Sequence, residues 1–195
     1  MITLLLQHGA DVNARNRNGI QSLHLASSAQ KVRALVQGGA DPDARDHWGV
    51  TPIGSHAALG YFDVDEIIRQ LFDAGADINL TDYSGVTPLI AASTWNNMAA
   101  IRQLVELGTK FDVVDNWGRS ILFCTAYYGT FAQIQYFRSV KMDGLDPDNR
   151  NESRYISLGV YTRRLVDELE IVQSRPTQAE ALAFCSLILE IRRRS

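Results

Sequence analysis

Residues 75–93 read GADINLTDYSGVTPLIAAS, and the same phrase returns in varying form along the chain. Earlier copies are GADVNARNRNGIQSLHLAS, which starts at Gly9, and GADPDARDHWGVTPIGSHA, which starts at Gly39. A worn copy, GTKFDVVDNWGRSILFCTA, starts at Gly108, and a fifth opening, GLDPDNRN, starts at Gly144. From Gly9 onward, the starting glycines are separated by 30, 36, 33 and 36 residues. A period of this length predicts a repeat array in which each copy is one supersecondary unit. Departures from 33 residues come in threes, close to one helical turn, so we expect them to reflect shortened or extended helices.

The parts of the phrase predict a turn followed by two helices. A glycine after an apolar helix, such as Gly75, supplies the left-handed backbone that ends a helix. The polar stretch that reaches Gly85 has turn chemistry. Thr87 then caps a new helix, and Pro88 occupies a first-turn position where no N–H is needed. A second helix is expected over 99–108, where apolar residues lie on one stripe.

This order of turn, Thr-Pro-Leu-His helix, second helix and Gly-Ala-Asp loop resembles the ankyrin repeat. The best matches are DYSGVTPLIAAS and DHWGVTPIGSHA, while NGIQSLHLAS keeps the family's histidine as His24. The resemblance covers about residues 1–150 and implies an all-α solenoid of helix-turn-helix layers with hairpin loops. It is imperfect, because the histidine slot holds Gly54, Ile90 and Phe123 in later copies and the Thr-Pro pair is missing from two copies.

The predicted organisation is a repeat domain over residues 1–150 and a divergent helical C-terminal cap over 151–195. The repeat domain divides into a half repeat and four full copies: 1–16, 17–46, 47–82, 83–115 and 116–148. The half repeat is a second helix without its first helix, so we expect the chain to begin inside a longer array and to expose apolar surface there. Helices expected over 162–172 and 177–191 would close the stack, as terminal repeats must; a further domain is the alternative.

Composition argues against several classes of protein. The net charge of -3, from 19 basic and 22 acidic residues, gives no basic footprint for nucleic acid. No stretch approaches the roughly 18 apolar residues of a membrane span. The opening MITLLLQHGA lacks the basic segment of a signal peptide. Cys124 and Cys185 lie in apolar runs, which is typical of free, buried thiols. We therefore expect an intracellular protein, cytoplasmic or nuclear.

Candidate catalytic groups fall at positions that a repeat explains structurally. The histidines show no metal-ligand spacing: His8, His24, His47 and His56. The resemblance implies a hydrogen bond from His24 to neighbouring loop backbone, and we interpret His56 as a shifted structural histidine. Catalysis needs one carboxylate pair, whereas six aspartates recur at loop positions and are interpreted as turn stabilisers: Asp11, Asp41, Asp46, Asp77, Asp82 and Asp115. We predict no enzymatic activity, no cofactor and no metal.

The resemblance places function in a concave groove formed by hairpin tips and first helices, where ankyrin proteins generally bind other proteins. Carried over to this sequence, the groove residues that we select are Trp48, Tyr83, Trp95, Trp117, Arg119, Tyr127 and Tyr128. Aromatic residues carry a disproportionate share of binding energy at interfaces. In the structural alternative, a tip tryptophan packs onto the next hairpin and Tyr127 lies under the cap. We expect a module that binds a partner protein or peptide.

Two other functions stay open at this point. One makes the array the substrate-targeting part of a larger catalytic assembly such as a ubiquitin ligase. The other is a structural spacer, which predicts polar hairpin tips. The cadence of DVDEIIRQLFDAGADIN is similar to that of large ankyrin arrays of filamentous fungi. We expect a protein partner, neither nucleic acid nor membrane, and a monomer apart from the exposed N-terminal half repeat.

Overall fold

The computed structural model describes residues 2–140, and its helices follow the repeated phrase. Ile2–Gln7 is α1, Ser22–Leu25 is a 3-10 helix, Ala29–Gln37 is α2, Pro52–Ala58 is α3, Val64–Asp73 is α4, Pro88–Thr94 is α5, Met98–Glu106 is α6, Ile121–Tyr128 is α7 and Phe131–Ser139 is α8. The only β-type pairing within 2–140 is a single bridge between Val114 and Ser120. The all-α prediction is confirmed. The fifth phrase and both expected cap helices lie outside the described residues.

The helices pack in two rows. The 3-10 helix, α3, α5 and α7 contact one another in chain order, and α1, α2, α4 and α6 form the second row. Contacts between α3 and α4, and between α5 and α6, join the rows. The copies over 17–46, 47–82 and 83–115 therefore each contribute one helix to each row, and each of these layers packs on its neighbours.

The core lies between the two rows. In α4, Ile67, Ile68 and Leu71 are fully buried, and in α6 the same is true of Ile101 and Leu104. Residues three and four apart lie on one side of a helix, so these apolar side chains face the core together. Burying each side chain contributes roughly 1.5 to 3 kcal/mol relative to leaving it in water. Burial at these repeating positions is the main force that holds the stack.

The capping prediction is confirmed in both copies that keep the Thr-Pro pair. The Thr51 hydroxyl accepts a hydrogen bond from the Gly54 N–H at 3.2 Å, and the Thr87 hydroxyl accepts one from the Ile90 N–H at 3.2 Å. Each proline follows at the first turn. Because these caps fix where α3 and α5 begin, they also fix the direction in which each hairpin enters its helix.

The irregular repeat spacing has two structural causes. In the first full copy the first helix, Ser22–Leu25, is a 3-10 helix of 4 residues, whereas the corresponding helix α3 has 7 residues. The copy over 47–82 is long mainly because the loop 59–63 between its helices exceeds the corresponding loop 95–97. The expectation of shortened or extended helices is confirmed for the first full copy, whereas in the second most of the extra residues lie in the loop.

Loops that follow the second helices are joined by side-chain hydrogen bonds at one repeated position. The side-chain oxygens of this position accept backbone N–H groups from the next loop: Asn13 from Asp41 at 3.1 Å, Asp43 from Asp77 at 3.0 Å and Asn79 from Lys110 at 2.8 Å. Asn13 also donates its amide to the Gly39 carbonyl at 3.1 Å. Asp43, a carboxylate, lacks this donor. Partial burial raises the pKa of Asp43, and the charges of Asp77 and Asp41 add to the rise, although the Asp77 N–H opposes it.

We expect Asp43→Asn to raise the free energy of unfolding by about 0.5 to 1 kcal/mol at pH 7. The amide can donate to the Gly75 carbonyl as Asn13 does to Gly39, and the change removes a carboxylate beside two others. Since the folded pKa of Asp43 lies above its unfolded value, the ionised group costs stability above that pKa and stops doing so in acid. In urea denaturation the gain should therefore shrink as the pH falls through the folded pKa of Asp43 toward the ordinary value of 3.8. Asp41→Asn removes a similar charge without the new bond, and an equal gain from it would contradict the prediction.

Candidate functional site

One hydrogen-bonding pattern builds all four described hairpin tips. In each tip a side-chain oxygen accepts two backbone N–H groups, two and four residues further on. The acceptors are Asn16 (2.9 and 3.0 Å), Asp46 (2.9 and 2.9 Å), Asp82 (2.8 and 2.9 Å) and Asp115 (3.0 and 2.8 Å). At Asp11, Asp41 and Asp77 the side chain accepts one N–H two residues on. The interpretation of the six aspartates as turn stabilisers is confirmed.

Neighbouring tips are joined into a row by backbone hydrogen bonds. The His47 N–H donates to the Asn18 carbonyl at 3.0 Å, and the Tyr83 N–H donates to the Trp48 carbonyl at 3.0 Å. The Asn116 N–H continues the row to the Ser84 carbonyl at 2.9 Å. The tips are thus held side by side, so that their side chains share one edge of the stack.

Tyr83 packs across the preceding tip. Gly49 has a φ of +80°, and a Cβ built there would lie 2.6 Å from the Tyr83 ring. One face of Tyr83 is therefore covered, although the side chain is still 66% exposed. Trp48, which the structural alternative placed in such a position, is itself exposed. Packing onto a neighbouring hairpin thus describes the tyrosine better than the tryptophans.

An open depression of about 350 Å³ lies between the tips and the first-row helices α3 and α5. Its lining includes the small residues Gly54, Ser55, Ala58 and Ala91, together with Trp95, Trp117 and Arg119. Trp95 is 69% exposed and Trp117 is 60% exposed. The structure therefore brings three of the sequence-predicted residues to one cavity, with large aromatic side chains beside small ones.

Arg119 is fixed beside Trp117 by a buried carboxylate. Its Nε lies 2.6 Å from Asp115 Oδ2, and its Cζ lies 4.7 Å from the centroid of the Trp117 ring. Although partial burial lowers the pKa of Arg119, the hydrogen bond and charge of Asp115 and a hydrogen bond with Tyr128 leave it raised. The guanidinium therefore stays charged, and its contact with the ring face has the geometry of a cation–π interaction.

The asparagines between α5 and α6, which the sequence analysis did not select, position Trp95. Trp95 is the C-cap of α5, and Asn96 follows it with a φ of +58°, a conformation that asparagine tolerates. The Asn97 side chain accepts from the Ala100 N–H at 3.2 Å and donates to the Ala57 carbonyl at 3.0 Å. Adjacent asparagines between two apolar runs are typical of a turn, and this sequence pattern could have indicated the turn between α5 and α6.

Three of the other predicted groove residues, Trp48, Tyr83 and Tyr128, are described by the structure and are not lining residues of the depression. Trp48 and Tyr83 occupy neighbouring tips and do not line the depression. Tyr128, at the end of α7, is partly buried rather than exposed, and its carbonyl accepts from the Asn96 amide at 3.0 Å. The side chain of Tyr127 falls outside the described part of the chain. Of the six predicted groove residues whose side chains are described, the depression therefore gathers three, Trp95, Trp117 and Arg119.

The contacts of His24, His56 and Cys124 indicate structural roles rather than chemical ones. His24 Nε2 lies 3.1 Å from the Val50 carbonyl, which confirms its expected bond to loop backbone. His56 is buried and bonds the Leu23 carbonyl at 2.9 Å, as a shifted structural histidine would. Burial raises the pKa of the Cys124 thiol, although Thr94 and Arg119 oppose the rise, so the reactive thiolate is disfavoured. Over residues 2–140, no group of three His, Cys, Asp or Glu could hold a metal ion.

None of the helices described above has the length and apolar character to cross a membrane.

Comparison with known proteins identifies the repeats independently of this geometry. A family model described as ankyrin repeats in three copies matches residues 1–82 and again residues 55–151. The search among curated proteins found no match for the chain. The family match covers the same part of the chain as the repeated phrase.

Proposed function

This chain belongs to the ankyrin repeat family, and we propose that it is an interaction module that binds a partner protein or peptide in the depression beside α3 and α5. Ankyrin repeats generally mediate protein–protein interaction and form a non-catalytic family. We propose the same for this chain, with a protein rather than a nucleic acid or a membrane as its partner. A monomeric state apart from the half repeat, and a cytoplasmic or nuclear location, belong to the same proposal.

The observation that carries the proposal is the pair of exposed indoles at one cavity. Trp95 and Trp117 both line the depression and are both more than half exposed. Single exposed apolar residues are common, whereas large aromatics gathered at a concave site are typical of binding surfaces. Tryptophan is also the residue type most enriched among those that dominate interface energy, together with tyrosine and arginine.

The charges at the depression indicate the chemistry of the partner. Asp82 and Arg119 are its charged lining residues. The carboxylate of Asp82 already accepts two tip N–H groups, and Arg119 is paired with Asp115. Because both charges are engaged within the chain, the surface offers mainly apolar and aromatic contact. This favours a partner segment whose own contact residues are apolar or aromatic.

The hairpin tips bear on the spacer alternative. A spacer predicts polar tips, but Trp48, Tyr83 and Trp117 are exposed there. Binding is therefore the better explanation of residue choice. The targeting alternative requires the same groove, so it predicts nothing different for these residues.

We expect Trp117→Ala and Trp95→Ala each to weaken peptide binding by about 30-fold or more, the equivalent of about 2 kcal/mol. Each change removes a large contact surface, most of which is exposed in the free chain, so the urea midpoint should hardly move. A ligand would be selected from a displayed random-peptide library with the intact chain. Its affinity for each variant would then be measured by calorimetry.

Phe62→Ala is the matched control, because Phe62 is a fully exposed aromatic that does not line the depression. It should leave both affinity and stability unchanged. Selected peptides that bind both tryptophan variants as tightly as the original chain would place binding elsewhere and reject the proposal. A loss of several kcal/mol in stability with intact affinity would instead make the tryptophans structural.

A further inference from the structure

Two histidines join the first two layers in opposite directions. His24, in the 3-10 helix of the first full copy, reaches the Val50 carbonyl of the next hairpin at 3.1 Å. His56, in α3 of that next copy, reaches back to the Leu23 carbonyl at 2.9 Å. Both side chains are buried, with 1% and 0% exposure. Each histidine is therefore bonded to the backbone of the copy that carries the other.

The hydrogen bonds at His24 require a neutral ring. Nδ1 accepts from the Gln21 N–H at 3.3 Å, so the ring hydrogen must lie on Nε2, which donates to the Val50 carbonyl. A protonated ring has a hydrogen on both nitrogens. Protonation would turn the Nδ1 acceptor into a donor facing the Gln21 N–H, and that bond would be lost.

His56 meets the same requirement for a different reason. Its Nε2 donates to the Leu23 carbonyl, whereas its buried Nδ1 has no hydrogen-bond partner among the described residues. The Tyr61 ring lies 5.6 Å from its own ring, centroid to centroid. Protonation would create a buried N–H without an acceptor and a charge without water, and both are unfavourable.

Charged side chains of the packed elements offer little compensation for a positive charge on either ring. The 3-10 helix brings His24 itself to His56, and α5 carries no titratable residue. The charged residues of the other packed helices are exposed: Lys31 and Arg33 on α2, Asp65, Glu66, Arg69 and Asp73 on α4, and Arg102 and Glu106 on α6. Asp46 lies closer to His24, but its carboxylate already accepts two N–H groups.

Burial lowers the pKa of both histidines. For His24, hydrogen bonds with the backbone of Val50, Gln21 and Ala44 and the charge of Asp46 oppose this effect without reversing it. For His56, the bond to Leu23 opposes it, and the charge of His24 lowers the pKa further. The two rings therefore stay neutral in the folded chain below the pH at which an exposed histidine is protonated.

We propose that His24 and His56 form an acid-sensitive clamp, so that mild acidification separates the first two layers while the later layers stay packed. The two following copies have Gly54 and Ile90 in the slot of His24, so the same device is missing between them. The clamp would act whether or not the groove binds a partner.

The sign follows from proton uptake on opening. Opened layers bind protons at the ordinary histidine pKa of 6.5, whereas the packed layers bind them only at lower pH. The stabilisation is complete above 6.5 and is lost as the pH falls from 6.5 toward the lower folded values. At pH 5.5, one unit below that value, each histidine can raise the opening equilibrium by up to about tenfold.

Hydrogen exchange of the intact chain at pH 7.5 and pH 5.5, corrected for intrinsic exchange rates, tests the clamp. We expect opening of 20–37 and 50–60 to rise by about 10- to 100-fold at pH 5.5, while 98–107 changes little. The double variant His24→Gln/His56→Gln stays neutral and should lose this pH dependence. His47→Gln, at an exposed tip histidine, should keep it.

Equal loss of protection over 98–107, or an unchanged response in the double variant, would overturn the proposal. If the double variant does not fold at pH 7.5 by circular dichroism, NMR titration of the unmodified chain decides instead. Neither buried imidazole should then titrate near 6.5 while the chain stays folded. A ring that does so with protection intact would refute the clamp.

Discussion

Replacing Leu71 with alanine should lower the free energy of unfolding by about 3 to 5 kcal/mol. Leu71 is fully buried in α4, which packs on α2, α3 and α6. Truncation removes favourable burial and leaves a cavity that helices on three sides cannot close without losing their own contacts. Urea denaturation should show the loss as a lower midpoint.

The location of the loss is as informative as its size. Because each layer contacts only its neighbours, protection from hydrogen exchange should fall most over 29–37, 64–73 and 98–106. Arg69→Ala on the exposed side of α4 is the control, and it should change stability by less than about 0.5 kcal/mol. A Leu71→Ala chain that loses under 1 kcal/mol would mean that α4 is not a central element of the stack.

The fold could be predicted because each local preference in the phrase agrees with its tertiary role. Thr87 caps α5, and Gly75, at a φ of +98°, follows the end of α4. The apolar residues of α4 and α6 face the core, as their spacing requires. Because the same local pattern occurs in several copies, an ambiguous copy can be interpreted with the help of the others.

The prediction was weaker where a copy departs from the phrase. Gln21 and Ser22 replace the Thr-Pro pair, and the first helix contracts to a single 3-10 turn. The extra residues of the next copy were expected in its helices, yet most of them lie in the loop 59–63. Spacing gives the number of residues between two fixed points, but packing decides which segment absorbs them.

The site was predicted in part, for a related reason. Repeat phase alone places Trp117 and Arg119 on a tip and Trp95 at the end of a first helix. Repeat phase does not predict that the ring of Tyr83 lies over Gly49, or that the guanidinium of Arg119 is held against an indole. Those contacts depend on the distance between layers, which is a tertiary property. Partial burial of Tyr128 was missed for the same reason.

Asp115→Ala should cost about 2 to 4 kcal/mol of stability, and it should also weaken binding at the depression. The buried carboxylate of Asp115 accepts the N–H groups of Trp117 and Arg119 and pairs with the guanidinium of Arg119. Its removal leaves two tip N–H groups and a partly buried cation without their acceptor. The tip should loosen, and the orientation of Trp117 should be lost with it.

Asp82→Ala separates the two contributions, because Asp82 accepts two tip N–H groups in the same way, but no described cation pairs with it. Asp82→Ala should lower the free energy of unfolding less than Asp115→Ala does, and the difference is the contribution of the ion pair with Arg119. Asp115→Asn keeps one acceptor oxygen and should restore the tip bonds but not the ion pair. Urea denaturation of the three variants, with hydrogen exchange over 113–121, measures both effects. Asp115→Ala would contradict this role if it lowered the free energy of unfolding no more than Asp82→Ala does and left the affinity of the chain for a selected peptide unchanged. The carboxylate would then not hold Arg119 in place. The position of the cation beside the indole would instead depend on the neighbouring helix α7.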